Sequence, residues 1–283
     1  MPETLLAKRT RLAAYTTLKV GGEAELWEVN STAELREASS EPFRVLGAGS
    51  NLLISDEGVK ERVVKLGKSF NNLEDFSSSG EVWLGAATPL PGLVRRAASA
   101  GLSGWEGLLG IPAVLGGAIA MNAGTRYGCI ADTLQEVELM VGGEIVRLFA
   151  DELKLSYRHS ELPQSAIITR AKFKLSSSSP ETVEALLAKV DAARKGQPKI
   201  KSAGCAFKNP EPDSAGRLID EAGLKGLRVG DAMVSLEHGN FIVNLGQASA
   251  TDVLKLIDMI RSRVKTPLAL EWQLWGFGEA GNG

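Results

Sequence analysis

Apolar and polar positions alternate in several short stretches of the chain. AELWEV (24–29), EVWLGAA (81–87), EVELMV (136–141), AIITRAKFKL (166–175), NFIVNL (240–245) and ALEWQLW (269–275) therefore predict strands. Helical spacing is rarer. Ser31-Thr32-Ala33-Glu34 is a capping box that opens a short helix. Val183, Leu186, Leu187 and Val190 share one stripe of a helix over 180–194, with Ser179 and Pro180 as its start signal. Val253, Leu256, Ile257, Ile260 and Val264 do the same over 250–264, and Asp213 to Ala222 reads as a further helix closed by Gly223. Strands and helices do not alternate strictly, which favours an α+β fold over a doubly wound parallel sheet. SSSSP (176–180) is a composition break before the second half, FSSSG (76–80) reads as a hairpin turn, and no internal repeat is visible.

Length and charge narrow the picture. The 283 residues can bury a large core and suit about two domains, with one or three possible. With 32 basic and 34 acidic residues the net charge is −2, so no global positive field advertises nucleic acid or an anionic membrane, and neither is an expected partner. A polyanionic ligand needs a local cluster. Two cysteines cannot build a disulfide framework, and two histidines with two cysteines at unrelated spacings give no metal site. Glu3, Lys8, Arg9 and Arg11 interrupt the first twenty residues, which do not read as a signal peptide. The charge-free run from Gly107 to Thr125 contains Pro112, Asn122 and the adjacent Gly116-Gly117, which argues against a membrane span. A reduced, cytoplasmic protein is the expectation.

Glycine is the compositional outlier: 31 residues, ten of them within 101–150. Such a concentration marks backbone packed on backbone or on a ligand. Two segments stand out. In VLGAGSNLL (45–53), Gly47, Ala48, Gly49, Ser50, Asn51 and Leu52 form a turn able to present consecutive N–H groups to a phosphate; a plain tight turn is the alternative. No GxGxxG opens a long helix, so this is not a Rossmann fingerprint. In GLLGIPAVLGGAIAMNAGTRYG (107–128), Gly116, Gly117, Ala118, Ala120, Ala123 and Gly124 are all small, and a wall without side chains can lie against a planar ring or a pyrophosphate. A tightly packed core turn is the alternative there. Two such segments together favour a large extended cofactor.

GAGSNLLISDEG, GIPAVLGGAIAMNAG, YRHSEL, SAGCAFKNP, AGRLIDEAGLKG, HGNFIVN and the terminal LEWQLWG occur in that order between about Thr17 and Gly276. Together they closely resemble the UDP-N-acetylenolpyruvoylglucosamine reductase family, flavoenzymes of peptidoglycan precursor synthesis, and the glycine segments resemble the wider vanillyl-alcohol-oxidase type of flavin fold. The resemblance implies FAD, bound non-covalently between two α+β subdomains, 1–66 (completed by 267–283) and 67–195, and a substrate-binding α+β domain over 196–266. It implies NADPH as co-substrate and UDP-N-acetylglucosamine enolpyruvate as substrate. Cofactor contacts are expected from Gly47 to Leu52, from Gly85, and from Ile111, Pro112, Gly116, Gly117, Ala118, Asn122, Ala123 and Gly124. A monomer is expected.

The implied reaction makes demands on residues. Hydride addition to the enol ether pushes negative charge toward the substrate carboxylate, which calls for a fixed cation and a hydrogen-bond donor. Tyr157-Arg158 fits, because arginine stays protonated and offers a planar fork; alone, the pair reads as surface residues. Glu271, between Leu270 and Trp272, matches the family's active-site glutamate. Burial could keep it protonated as a hydrogen-bond donor; an outward-facing glutamate is the alternative on pattern alone. Cys205 stands where the family usually has the serine that donates a proton. A thiol can serve, being mostly protonated at neutral pH, and Cys129 reads as a buried structural cysteine. Arg194, Lys195, Lys199, Lys201 and Lys208 form a basic run without an acid around Cys205, otherwise read as a solvated loop. Lys208 and Asn209 match the family's FKNP, Lys195 is a further substrate contact, Asn240 is a polar contact, and His238 reads as structural. Ala113 replaces a glycine usual in the family, so an ordinary φ is expected there.

Non-covalent flavin separates this reading from an alcohol oxidase or dehydrogenase of the same fold, whose members often tether flavin through His or Cys. A non-catalytic nucleotide-sugar binding module is the third reading.

Overall fold

The structure, a computed structural model, describes residues 7–72, 74–76 and 79–278. The chain is α+β, as the mixed pattern predicts, and divides into two compact units. One is built from Leu26–Ala48 and Arg62–Lys195. The other is built from Lys8–Glu25, Gly49–Glu61 and the chain from Gly196 onward.

The first unit is organised on an antiparallel sheet in the order Glu144–Phe149, Leu134–Val141, Ile167–Lys174, Glu81–Gly85. Alternation explains it: Val137 and Leu139 are fully buried, while Glu138 points to the other face and receives hydrogen bonds from Arg170 (2.8 Å) and Arg147 (3.3 Å). The helix Leu90–Ser99 covers the buried face with Leu90, Leu93, Val94 and Ala97, beside Trp105 and Phe173, whose rings meet edge to face at 5.3 Å. The Trp105 indole donates to Thr133 Oγ1 at 2.9 Å, which satisfies its polar end inside the core. Nearby, Leu26–Val29 and Phe43–Val45 both run parallel to Arg62–Leu66.

In the second unit Ser202–Cys205, Phe241–Asn244, Ala232–Val234 and Arg228–Val229 form an antiparallel sheet in that order. All four residues of Phe241–Asn244 are buried, and the helices Ala215–Glu221 and Ala250–Arg263 supply Ile219, Val253, Leu256, Ile257 and Ile260 to the same core. A parallel pair joins Leu52–Ile54 to Gln273–Trp275. The longer helix is doubly capped. Ser249 and Asp252 make the reciprocal capping box. Asp56 reaches in from the far end of the glycine turn to accept from Ala250 N (2.8 Å), Thr251 N (3.0 Å) and Thr251 Oγ1 (3.0 Å).

Several elements depart from the pattern. The helix Leu90–Ser99 escapes the pattern because Pro91 and Gly92 sit in its first turn, yet proline is tolerated there, where its missing N–H has no partner to lose. Leu115–Ala120 is helical within the glycine segment. Only Gln273–Trp275 of ALEWQLW is regular strand; Leu270 makes an isolated bridge to Phe207. The serine run at 176–180 is no boundary: Ser179 accepts from Thr182 N and starts the helix Pro180–Ala193, and the division between units falls after Lys195. Along that helix Val183 and Val190 are buried but Leu186 is 40% exposed. Of the expected hairpin turn at 76–80, Ser77 and Ser78 lie outside the described residues, as do residues 1–6 of the N-terminal stretch and 279–283. Among the described residues no helix is long and apolar enough to cross a membrane.

The Asp56 cap ties the turn carrying Gly49 and Asn51 to the core helix. Asp56→Ala should therefore lower unfolding stability by about 1–2 kcal/mol, the usual worth of a cap. Urea denaturation checks it, and a loss below about 0.3 kcal/mol would mean that the local capping box alone suffices.

Candidate active site

A cavity of about 190 Å³ opens in the first unit, its wall including Gly47, Ala86, Ala87, Gly116, Gly117 and Ala120, with Lys65, Leu66, Ile167 and Ile168 among the other lining residues. Main-chain bonds assemble this wall. Ala86 N donates to Thr169 O (2.9 Å), and Gly116 N donates back to Ala86 O (2.8 Å), so the helix Leu115–Ala120 starts against the end of strand Glu81–Gly85. A Cβ on Gly116 would stand 3.1 Å from Ala86 Cβ, and one on Gly47 3.1 Å from Val114 Cγ2. Gly117 is different: a Cβ there would meet nothing within 4 Å. The protein does not pack on that face. Side-chain-free backbone bordering open, largely apolar space is what a flat ring system requires, so the wall fits a flavin nucleotide.

The other expected cofactor residues divide by what touches them. Gly85 has no place in the cavity wall. Its missing side chain is accounted for by main chain, since a Cβ would fall 2.1 Å from Phe70 O and 2.7 Å from Asn72 N. Gly124 faces Cys129 and Gly128 in the same way. Ala118 and Ala123 are buried, Ile111 is half-buried against the core, and Pro112 is exposed. Ala113 has no positive φ, as expected. Asn122, 5% exposed, uses its carboxamide on main chain: Nδ2 donates to Ser156 O (2.9 Å) and Oδ1 accepts from Ala131 N (3.0 Å). Arg194 donates to Gly110 O (3.0 Å), at the head of the glycine segment.

Tyr157 and Arg158 form the tip of a tight turn closed by Ser156 N to His159 O (3.1 Å) and His159 N to Ser156 O (3.2 Å). Tyr157 is 53% exposed and lies under the Arg158 guanidinium, 5.0 Å from ring centroid to Cζ. Arg158 is half-buried and also donates to Gly124 O at 2.8 Å.

The second unit brings together the rest. Gly49, at φ +62°, has room only for hydrogen, because a Cβ would sit 2.2 Å from Tyr15 O; Thr17 N donates to Gly49 O (3.0 Å). Ser50 and Asn51 are half-buried and Leu52 starts the buried strand. Asn51 Nδ2 donates to Glu271 O (3.1 Å), and Gln273 N donates to Asn51 O (3.0 Å). Glu271 N donates to Ala206 O and Lys208 N to Ala269 O, both 2.8 Å. These bonds zip 206–208 to 269–271 and set Cys205, Lys208 and Glu271, all half-buried, on one short patch beside the glycine turn. Asn240, 2% exposed, clamps that patch: Oδ1 accepts from Phe207 N (2.9 Å) and Nδ2 donates to Phe207 O (2.8 Å). Asn209 Oδ1 caps the helix Ala215–Glu221 at Ala215 N (3.1 Å). His238 Nδ1 accepts from Asn240 N (3.2 Å), and burial pushes its pKa below the usual imidazole value, so it stays neutral at pH 7. Lys195 is exposed just past the helix Pro180–Ala193. Neither cysteine is in a disulfide; Cys129 is half-buried rather than buried, its Sγ donates to Asp132 Oδ1 (3.5 Å), and burial, then the Asp132 carboxylate, push its thiol above the ordinary value, which disfavours the thiolate.

Known proteins account for both units. Residues 25–148 match the FAD binding domain family, and residues 197–274 match the UDP-N-acetylenolpyruvoylglucosamine reductase C-terminal domain. UDP-N-acetylenolpyruvoylglucosamine reductase of Thermus thermophilus is 57% identical, over 95% of this chain and 98% of its own. The chain belongs to that reductase family. The Deinococcus radiodurans member is 49% identical over 95% of both chains. The crystal structure of the Thermus caldophilus enzyme superposes with a TM-score of 0.91 at 56% identity, covering 96% of this chain and 99% of that one. As a reductase of this family the protein is an FAD-binding oxidoreductase. The cavity wall lies within the FAD-binding match, apart from Leu162, Ala166, Ile167 and Ile168, and Cys205, Lys208 and Asn240 lie with Glu271 within the reductase-specific one.

Sequence reasoning found Gly47, Gly116 and Gly117 but missed Ala86, Ala87, Ile167 and Ile168, which entered only as strand residues. The small pair Ala86-Ala87 at the end of an alternating strand was the available signal. The cavity gives a direct test. Gly117→Leu should fold, since nothing occupies the space, and should weaken FAD binding at least about tenfold by filling it. A flavin-fluorescence titration alongside circular dichroism checks this; an unchanged affinity would place the cofactor elsewhere.

Proposed function

We propose that this chain reduces the enolpyruvyl group of UDP-N-acetylglucosamine enolpyruvate to the lactyl ether of UDP-N-acetylmuramate, in peptidoglycan precursor synthesis, with NADPH as reductant. The observation that carries this reading is family likeness at 57% identity along nearly the whole chain, with reductase-specific motifs around Glu271 and, apart from the cysteine itself, around Cys205. FAD, when bound, supplies a carrier that takes a hydride equivalent from NADPH and releases it to the substrate's methylene carbon. Gly47, Gly116 and Gly117 are assigned to hold it, with the N–H groups of 48–52 on its phosphates. The organisation proposed is an FAD-binding subdomain over 1–66 completed by 267–283, a second over 67–195, and a substrate domain over 196–266.

The protein's own groups then have defined tasks. Arg158 holds the substrate carboxylate and stabilises the negative charge that reaches it as the methylene carbon is reduced. Glu271 in its protonated form donates a hydrogen bond to the same developing enolate. The Cys205 thiol gives its proton to the carbon between carboxylate and ether oxygen; the double bond is then consumed, and a thiolate remains to be reprotonated by water. Lys208, Lys195 and Tyr157 bind the nucleotide and carboxylate ends of the substrate. Asn240 and Asn209 serve through main chain, at Phe207 and Ala215. A cytoplasmic location and a monomer are proposed.

The experiment is anaerobic. NADPH should bleach the flavin band of the purified holoenzyme, and the enolpyruvyl nucleotide should restore it; a band that stays bleached would leave only a generic flavin reductase. Within that assay Cys205→Ser should remain active, whereas Cys205→Ala should lose about 10²–10⁴ in the rate of flavin reoxidation, the usual worth of a positioned acid. Near-wild-type reoxidation in the alanine variant would remove Cys205 from the mechanism.

A further inference from the structure

Arg158 sits in an unusual place for an arginine. It is the second residue of the two-residue turn between Ser156 and His159, and its φ is +54°. Positive φ at that turn position is normally given to Gly or Asn, because a Cβ there is crowded by the backbone. A conformation of this kind persists only where its surroundings over-determine it.

The surroundings do so here. Three side-chain hydrogen bonds lace the turn to alternate residues at the end of the glycine segment. Ser160 Oγ donates to Ala120 O (2.8 Å), Asn122 Nδ2 donates to Ser156 O (2.9 Å), and Arg158 Nη2 donates to Gly124 O (2.8 Å). Asn122 is itself in positive φ (+40°), is 5% exposed, and is anchored from behind by Ala131 N on its Oδ1. Ala120, at the start of this lacing, lines the cavity.

We propose that Asn122 and Ser160 are positioning residues for Arg158: they fasten the Tyr157-Arg158 turn to the segment that walls the cofactor cavity, so that the guanidinium is already aimed when substrate arrives. Asn122 thus serves the substrate through Arg158. The inference rests on the role assigned above to Arg158, that of meeting the substrate carboxylate.

A double-mutant cycle on the FAD-loaded enzyme separates the two. Asn122→Gly keeps the positive φ and removes both carboxamide bonds. It should lower kcat/KM for the enolpyruvyl nucleotide by about tenfold or more while FAD affinity changes less than about threefold. In an Arg158→Ala background the same change should cost less than about threefold, because the residue it acts through is gone. Ser160→Ala should repeat this pattern more weakly and Ser160→Thr should restore it; this pair carries the test if Asn122→Gly does not fold. Equal losses in both backgrounds, a loss traced to FAD release, or wild-type kcat/KM in Asn122→Gly would overturn the proposal. Wild-type kcat/KM in Arg158→Ala alone would instead overturn the role given to Arg158.

Discussion

Two surfaces can come into van der Waals contact along their backbones only where no side chain stands between them, and this chain meets that constraint in two distinct ways. At Gly49, Gly85 and Gly124 the missing Cβ makes room for the protein's own main chain, at distances that no other residue could tolerate. At Gly117 it borders space that the protein leaves open. The first kind makes the second possible. Strand Glu81–Gly85 can end beside Thr169 and receive the helix Leu115–Ala120 because Gly85 lets Phe70 and Asn72 pass close behind it. The cavity is therefore a product of backbone-on-backbone packing elsewhere.

Loops packed this tightly leave peptide groups that need partners, and asparagine supplies them. Its carboxamide is the smallest side chain that carries a donor and an acceptor on separate atoms, so it can satisfy both main-chain groups of one residue or bridge two residues. Asn240 does the former at Phe207, and Asn122 does the latter between Ser156 and Ala131. Aspartate would lack the donor and serine the reach. A buried peptide left unsatisfied costs about 1–3 kcal/mol, so each of these asparagines stabilises the local fold as well as aiming its neighbours.

That division explains how far the sequence could be read. Alternation and apolar runs located Glu23–Val29, Glu81–Gly85, Leu134–Val141, Ile167–Lys174 and Phe241–Asn244 to within a residue or two, because each meets a core, and did not report shorter or more exposed strands such as Phe43–Val45, Arg62–Leu66 and Glu144–Phe149. The helix Leu90–Ser99 was hidden by Pro91 and Gly92. Within the candidate site, residue type singled out segments and left open which way each residue faced. Gly85 and Gly117 look equivalent as letters and differ in whether backbone or open space lies beyond them. Asn122 and Asn240 carry motif positions, yet their polar atoms face inward. Facing is decided by contacts between residues far apart in the chain, such as Phe70 with Gly85, and no local pattern reports these.

Residue 205 can change chemistry because its position is set by main chain. Gly204 at φ +72° bulges the strand, Cys205 pairs with Phe241, and the next three residues are fixed by Asn240, Glu271 and Ala269. These bonds run through main chain and the Asn240 carboxamide, and they fix the backbone on both sides of residue 205. In the proposed mechanism what would change is the acid: a thiol gives up its proton more readily than an alcohol and leaves a more stable base, which would ease protonation of the carbon. Under that proposal the exchange would shift the proton donor's chemistry while the main chain around residue 205 stays in place.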